Sequence, residues 1–237
     1  AYRTRYIREN PFLFLENDDK IVQAKHKVSH LSEEEIKAFE TMLENYAAKS
    51  KSRYWQVYFL IALRCGLRRG EILPLQWKDI TMDESGEPIL HVTKNAVRNP
   101  DLPDKVEIRK PKRDQVRDVP IPPQLYRLMM EYRAEWDAMP LDDAYMFPRK
   151  NDLSKIMYTT VPTQKLRRLE QSYLKEATAS VHDLRHSVGS ELSRIGTPLK
   201  VIQTLLGHSD SRTTANFYIG TDMDQLREAV NKAENAG

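Results

Sequence analysis

In TLLGHSDSRTTANFYIG, residues 204–220, an imidazole and a phenol stand ten residues apart: His208 follows Gly207, and Tyr218 closes a polar Ser/Thr segment. A phenol attacks only after losing a proton whose reference pKa is ~10, so such a pair needs a base and a place for charge. Taken alone, Tyr218 is one of eleven tyrosines, most of which serve as packing residues. Likewise, a His after a helix-ending Gly reads as a cap on the preceding carbonyls. HDLRH sets His182 and His186 at i and i+4, a spacing that can hold a metal. Here Asp183 takes the slot of the Glu in HExxH, and the Arg185 guanidinium beside a divalent cation is unfavourable, so no metal site is expected. In CGLRRGEIL, Arg68 and Arg69 follow an apolar run, where an unpaired guanidinium is costly. Cys65 is the only thiol, and no ligand cluster joins it.

The elements that must position these groups follow from periodicity. Ser32 and Glu35 form a capping box before Ile36, Phe39, Leu43 and Tyr46 at helical spacing. RYWQVYFLIALRC, 53–65, is apolar on most sides, as in a buried helix, and Gly66 can stop it. A short helix over RRGEIL precedes Pro74. ILHVTK, KVEIRK and QVRDVPI carry strand signals separated by turn formers. PPQLYRLMMEYRAEW reads as a helix starting at a proline, and PTQKLRRLEQSYLKEA as another. HDLRHSVGSELSRIG is helical to Gly196, PLKVIQTLLG to Gly207, and the tail repeats Met223, Leu226 and Val230 at helical spacing. No internal repeat or low-complexity segment interrupts this order. The expected fold class is α+β, mostly α with one small antiparallel β-sheet between two helical halves.

Composition narrows the class of function. The chain has 237 residues, 40% hydrophobic and 30% charged, enough for one substantial core with a well-solvated surface. No apolar run approaches the ~18 residues of a membrane span, and no signal-peptide pattern is present. A single cysteine excludes a disulfide framework and makes a reducing cytoplasm the simplest setting. Net charge is only +3, but residues 105–117, KVEIRKPKRDQVR, hold six Lys/Arg against two acids. Such a stripe suits a phosphate-tracking surface, or equally a hairpin edge protected by lysines. The tail, 221–237, holds four acids against two bases. The chain begins with Ala and is expected to be a piece of a longer protein, although removal of an initiator Met would look the same.

Four separated motifs, CGLRRGEILPLQW, PKRDQVRDVPI, HDLRHS and LGHSDSRTTANFY, occur in the order and at about the separations of tyrosine recombinases of the phage-integrase type. The resemblance covers residues 28–220. It implies the tyrosine recombinase catalytic-domain fold, which is shared with type IB topoisomerases. Residues 1–27 become a linker from an N-terminal DNA-binding domain, and 221–237 a tail helix suited to docking in trans. Position by position, it implies active-site roles for Arg68, Lys112, His182, Arg185 and His208, with Tyr218 as nucleophile and Glu71 bracing Arg68. Lys110 and Arg113 are the nearest alternative cations to Lys112. Lys105, Arg109, Lys110, Arg113 and Arg117 are expected to contact DNA.

Phosphodiester cleavage passes through a crowded state with extra negative charge, which fixed cations must meet. Arginine forks fit phosphate oxygens and stay ionised. His208 can add a hydrogen bond, His182 can take the tyrosine proton, and Lys112 can protonate the departing 5′ oxygen. The resemblance thus implies site-specific DNA strand exchange through a 3′-phosphotyrosine, without ATP, metal or other cofactor. The implied partners are double-stranded DNA and three further copies on paired sites, the free piece being a monomer or weak oligomer, in a prokaryotic cytoplasm and away from membranes. Type IB topoisomerase-like relaxation is the first alternative, told apart by relaxed circles without exchanged arms. A helical DNA-binding regulator without chemistry is the second, told apart by the absence of a covalent protein–DNA product.

Overall fold

Ser32 opens the first helix as its spacing to Glu35 predicts. In the computed structural model, which describes residues 30–111, 116–136, 142–174 and 179–207, Ser32 Oγ accepts from the Glu35 N–H at 3.2 Å, and the Ser32 N–H donates to Glu35 Oε2 at 2.6 Å. This box starts α1, Glu33–Ser50, with three glutamates in the first turn where the helix dipole favours them. α1 buries Phe39, Met42, Leu43 and Ala47. α2, Tyr54–Cys65, is buried at every position from Gln56 to Leu63 and forms the centre of the core. Each of its Leu, Ile, Val or Phe side chains removed from water is worth about 1.5–3 kcal/mol. Gly66 ends it at φ 65, and a Cβ there would sit 2.5 Å from Leu206 Cδ2. Only glycine fits both that conformation and that approach.

After α3, Arg69–Ile72, and a 3₁₀ turn at Trp77–Asp79 come β1, Ile80–Met82, and β2, Pro88–Val92. β3, Asn95–Arg98, and β4, Val106–Arg109, are followed by β5, Arg117–Pro120. β2 lies between β1 and β5, antiparallel to both. The register pairs Leu90 with Val119 and Val92 with Arg117. α4, Pro123–Ala134, starts at its proline, and β6, Pro148–Arg149, with β7, Asp152–Ile156, makes a hairpin that the sequence signals did not mark. α5, Val161–Tyr173, α6, Val181–Arg194, and α7, Leu199–Leu206, complete the described elements.

The mostly helical α+β expectation holds. The single expected sheet does not, because KVEIRK pairs with Asn95–Arg98 in a hairpin of its own, and β6–β7 forms a third ribbon. The Asn99–Lys105 turn, closed by Asn99 N–H to Lys105 O at 3.0 Å, folds β4 back on its immediate neighbour before it can reach β2. Among the described residues no helix is long and apolar enough to cross a membrane. The expected linker, 1–27, and tail helix, 221–237, lie outside the described residues.

Candidate active site

The ends of α2 and α7 meet the starts of α3 and β5 and the body of α6 at one carboxylate, Glu71. It is 2% exposed. Its backbone sits in the first turn of α3, so its side chain reaches back to the Arg68 N–H, Oε2 accepting at 2.8 Å. Arg68 Nη1 donates to Oε1 at 2.9 Å. Arg117 grips the same carboxylate with a planar fork, Nη1 to Oε1 at 3.1 Å and Nη2 to Oε2 at 2.9 Å. Arg185 Nη1 stands 3.9 Å from Oε2. Burial pushes the Glu71 carboxyl up. The Arg117 hydrogen bonds and the charges of Arg117, Arg185 and Arg68 outweigh it and hold the pKa at about 2.

The same three guanidiniums cap the last carbonyls of α7. Arg117 Nε donates to Leu205 O at 2.8 Å, Arg185 Nη2 to Leu206 O, and Arg68 Nη2 to Gly207 O at 3.2 Å. A helix C-terminus leaves these acceptors open and carries partial negative charge, so cations there are favourable twice over. Gly207 ends α7 at φ 61, one residue before His208. Arg185 also donates from Nη1 to Gly66 O at 2.6 Å, tying α6 to the end of α2.

α6 presents the HDLRHS residues. Ser180 caps it: Ser180 Oγ accepts from Asp183 N–H at 3.2 Å, and Ser180 N–H donates to Asp183 Oδ2 at 2.8 Å. Asp183 therefore serves the cap. His182 is exposed and meets the buried His186 ring edge-on, centroids 4.3 Å apart. Burial, then His182 and Arg185, push the His186 pKa down to about 4, against the opposing pull of Asp183. Next along the helix, Ser187 Oγ accepts from the Leu31 N–H at 2.9 Å, anchoring the incoming chain on this element.

The structure thus brings Arg68, Glu71 and Arg185 together and sets His182 on the helix that carries Arg185. Arg69 turns aside, donating to Thr163 Oγ1 at 2.9 Å. Lys112, Arg113, His208 and Tyr218 lie outside the described residues. Lys105, Arg109 and Lys110 are exposed on the β3–β4 hairpin, Arg109 forked onto Glu107 at 2.6 Å.

Arg117 is placed differently from the other described cations of its run. Expected among the DNA-contacting cations, its side chain is only 6% exposed and is spent on Glu71 and Leu205 O. Period-two alternation puts it on the inward face with Val119, while Asp118 and Pro120 face out. That alternation was the signal in the sequence; the count of charges in the stripe concealed it. The backbone carbonyls of α7 were missed altogether, because no residue type marks an acceptor that every residue has.

Cys65 is buried, and burial pushes its thiol up to about 12, which removes it as a nucleophile. Among the described residues no three of His, Cys, Asp and Glu lie together as a metal-holding group. What remains is a surplus of fixed guanidinium charge, three against one carboxylate, with Arg68 as its accessible edge at 37% side-chain exposure. Chemically, that is a site for a tetrahedral or trigonal-bipyramidal oxyanion.

The profile of the phage integrase family matches residues 29–225. A tyrosine recombinase XerC-like protein of Caldanaerobacter subterraneus is 28% identical over 221 residues, covering 86% of this chain and 53% of its own length. The ICEBs1 integrase of Bacillus subtilis is 25% identical, covering 99% of this chain and 61% of its own. The chain therefore spans between about half and three fifths of these relatives. Among solved structures, the Tn1549 transposon integrase in complex with circular intermediate DNA superposes with a TM-score of 0.72 at 22% identity, over 98% of this chain and 75% of that one. The XerH site-specific recombinase bound to its difH substrate gives 0.66 at 21% identity, over 91% and 58%. At those identities the two structures speak for the fold.

Proposed function

The chain belongs to the phage integrase family, and from that membership we propose that it is a site-specific DNA recombinase that breaks and rejoins double-stranded DNA through a 3′-phosphotyrosine intermediate. The observation that carries the proposal is the Glu71-centred cluster, which gathers Arg68 and Arg185, from motifs more than a hundred residues apart, around one buried carboxylate. Tyr218 Oη attacks the scissile phosphorus and gives its proton to His182. The bond from phosphorus to the 5′ oxygen breaks, and Lys112 protonates the departing oxygen. Arg68 and Arg185 neutralise the non-bridging oxygens, joined by His208. The phosphotyrosine retains the energy of the phosphodiester, so a 5′-hydroxyl from another strand reverses the steps and seals the exchange.

The named relatives are recombinases and integrases, which favours strand exchange over relaxation and over a regulator without chemistry. Strand exchange requires four such domains on two paired sites. In this proposal residues 1–27 lead from a DNA-binding domain, and 221–237 dock on a neighbouring copy. The prokaryotic sources of the relatives support action in a prokaryotic cytoplasm.

Tyr218→Phe tests the nucleophile. On nicked suicide duplexes selected from a random pool by the parent protein, this variant should bind as the parent does and form no covalent adduct. Undiminished adduct would assign the nucleophile elsewhere.

A further inference from the structure

We infer that Arg117 is a positioning residue for the phosphate-binding arginines: it holds Glu71 and the last turn of α7 so that Arg68 and Arg185 keep their geometry, and it does so without touching DNA. The inference rests on the recombinase reading above for its kinetic test and on the structure alone for its geometric one.

The first ground is how the carboxylate is shared. An ionised carboxylate offers about four acceptor positions. At Glu71, Arg117 takes one on each oxygen, Arg68 Nη1 takes a second on Oε1, and the Arg68 backbone N–H takes a second on Oε2. Because Arg117 occupies the fork, Arg68 holds Glu71 by one side-chain bond only and turns its other Nη to Gly207 O. With the fork vacated, Arg68 is free to close on both Glu71 oxygens, the geometry planar guanidinium and carboxylate prefer. A guanidinium paired that way offers less charge and fewer donors to phosphate.

A second ground is contact with the end of α7. Leu205, Leu206 and Gly207 give one carbonyl each to Arg117, Arg185 and Arg68. The Gly207 backbone lies against the Arg117 guanidinium so closely that a Cβ would meet Nη1 at 2.8 Å and Cζ at 3.0 Å. Arg117 is therefore the seat of the turn from which the chain passes into His208. One buried side chain sets the reach of Arg68 through Glu71 and the exit direction of α7 through Leu205 and Gly207.

The third ground is charge. Three guanidiniums against one carboxylate leave a surplus of two, which suits a phosphodiester gaining negative charge on the way to the phosphorane. Arg117 cancels Glu71, and the surplus then falls on the two arginines that the motifs assign to the phosphate.

Arg117→Lys keeps the charge and loses the fork. At saturating suicide duplex it should form adduct about 10²-fold more slowly, the scale of a misplacement near 1 Å. Its DNA affinity should stay within about twofold of the parent, because Arg117 makes no DNA contact. In an Arg68→Ala background the same change should cost clearly less than it does alone, because the share that acts through Arg68 is already lost. Gly207→Ala, which drives a methyl into the guanidinium, should share the phenotype. A DNA-free crystal structure of Arg117→Lys reads the claim without catalysis: Arg68 folded onto both Glu71 oxygens supports it, and Arg68 unmoved overturns it. An adduct rate within about twofold of the parent, or full multiplicative loss beside Arg68→Ala, also overturns it. So does failure of both variants to fold, which would make the cluster a requirement of the fold and not of the phosphate site.

Discussion

At His186 the ring is buried against His182, beside Arg185 and within the field of His30, with Asp183 opposing. The folded protein therefore keeps it neutral until about pH 4, whereas the unfolded chain takes up the proton near 6.5. Between those values the unfolded state binds more protons, so the contribution of His186 to stability is fully present above about 6.5 and is lost as pH drops toward 4. Glu71, held at about 2 against 4.5, adds a second loss of the same sign lower down, between about 4.5 and 2. Urea titrations of the parent and of His186→Gln across pH 4–7 read this directly: the variant should show a flatter slope, and parallel slopes would remove His186 as the cause. Lys112, outside the described residues, is tested by leaving-group chemistry. An alkoxide needs a proton in the transition state, while a thiolate, with a parent thiol pKa near ~8.5, leaves without one. Lys112→Ala should cleave ordinary DNA ~10²–10⁴-fold more slowly, yet cleave DNA with sulfur at the bridging 5′ position nearly as fast as the parent. Arg68→Ala should be slow on both substrates. Rescue of Lys110→Ala in place of Lys112→Ala would move the general acid to Lys110.

Each helix of the site owes its position to an end that is specified chemically. Gly66 and Gly207 stop α2 and α7 in the left-handed region, and both stops face arginines of the cluster through their carbonyls. α6 begins at the Ser180–Asp183 box, one turn before Arg185. Loss of an N-cap Ser costs typically ~1 kcal/mol. Ser180→Ala should therefore lower Tm by roughly 2–4 °C for a chain of this size, and Ser180→Asp, which keeps an acceptor, should restore most of it. Scanning calorimetry of the two variants checks this; equal melting for Ala and Asp would show that the cap oxygen carries no weight. The Gly66 and Gly207 stops were read from the sequence, because capping is local; the Ser180–Asp183 box was not. The division of the strands into three ribbons was not, since a strand signal names a segment and never its partner.

Within the basic run 105–117, Lys105, Arg109 and Lys110 are exposed on the β3–β4 hairpin, while Arg117 is interior. DNA affinity of this chain should fall steeply with salt as counterions return to the duplex. Lys110→Ala should weaken binding about uniformly across sequences and reduce the log–log salt slope by about 1; an unchanged slope in fluorescence anisotropy would take Lys110 off the duplex. The sequence by itself determined the family, the α+β class, the glycine stops of α2 and α7 and the order of the motifs, because caps, periodicity and residue types act over a few neighbouring positions. Only the tertiary structure decided which arginines share a carboxylate. Arg68, Arg117 and Arg185 are brought to Glu71 by strand register, by the close approach of α7 to Gly66, and by backbone carbonyls that leave no trace in residue type. Burial then separates them: the low-dielectric interior demands that Arg117 be paired in full, and that pairing turns a cation counted for the surface into a support for the site.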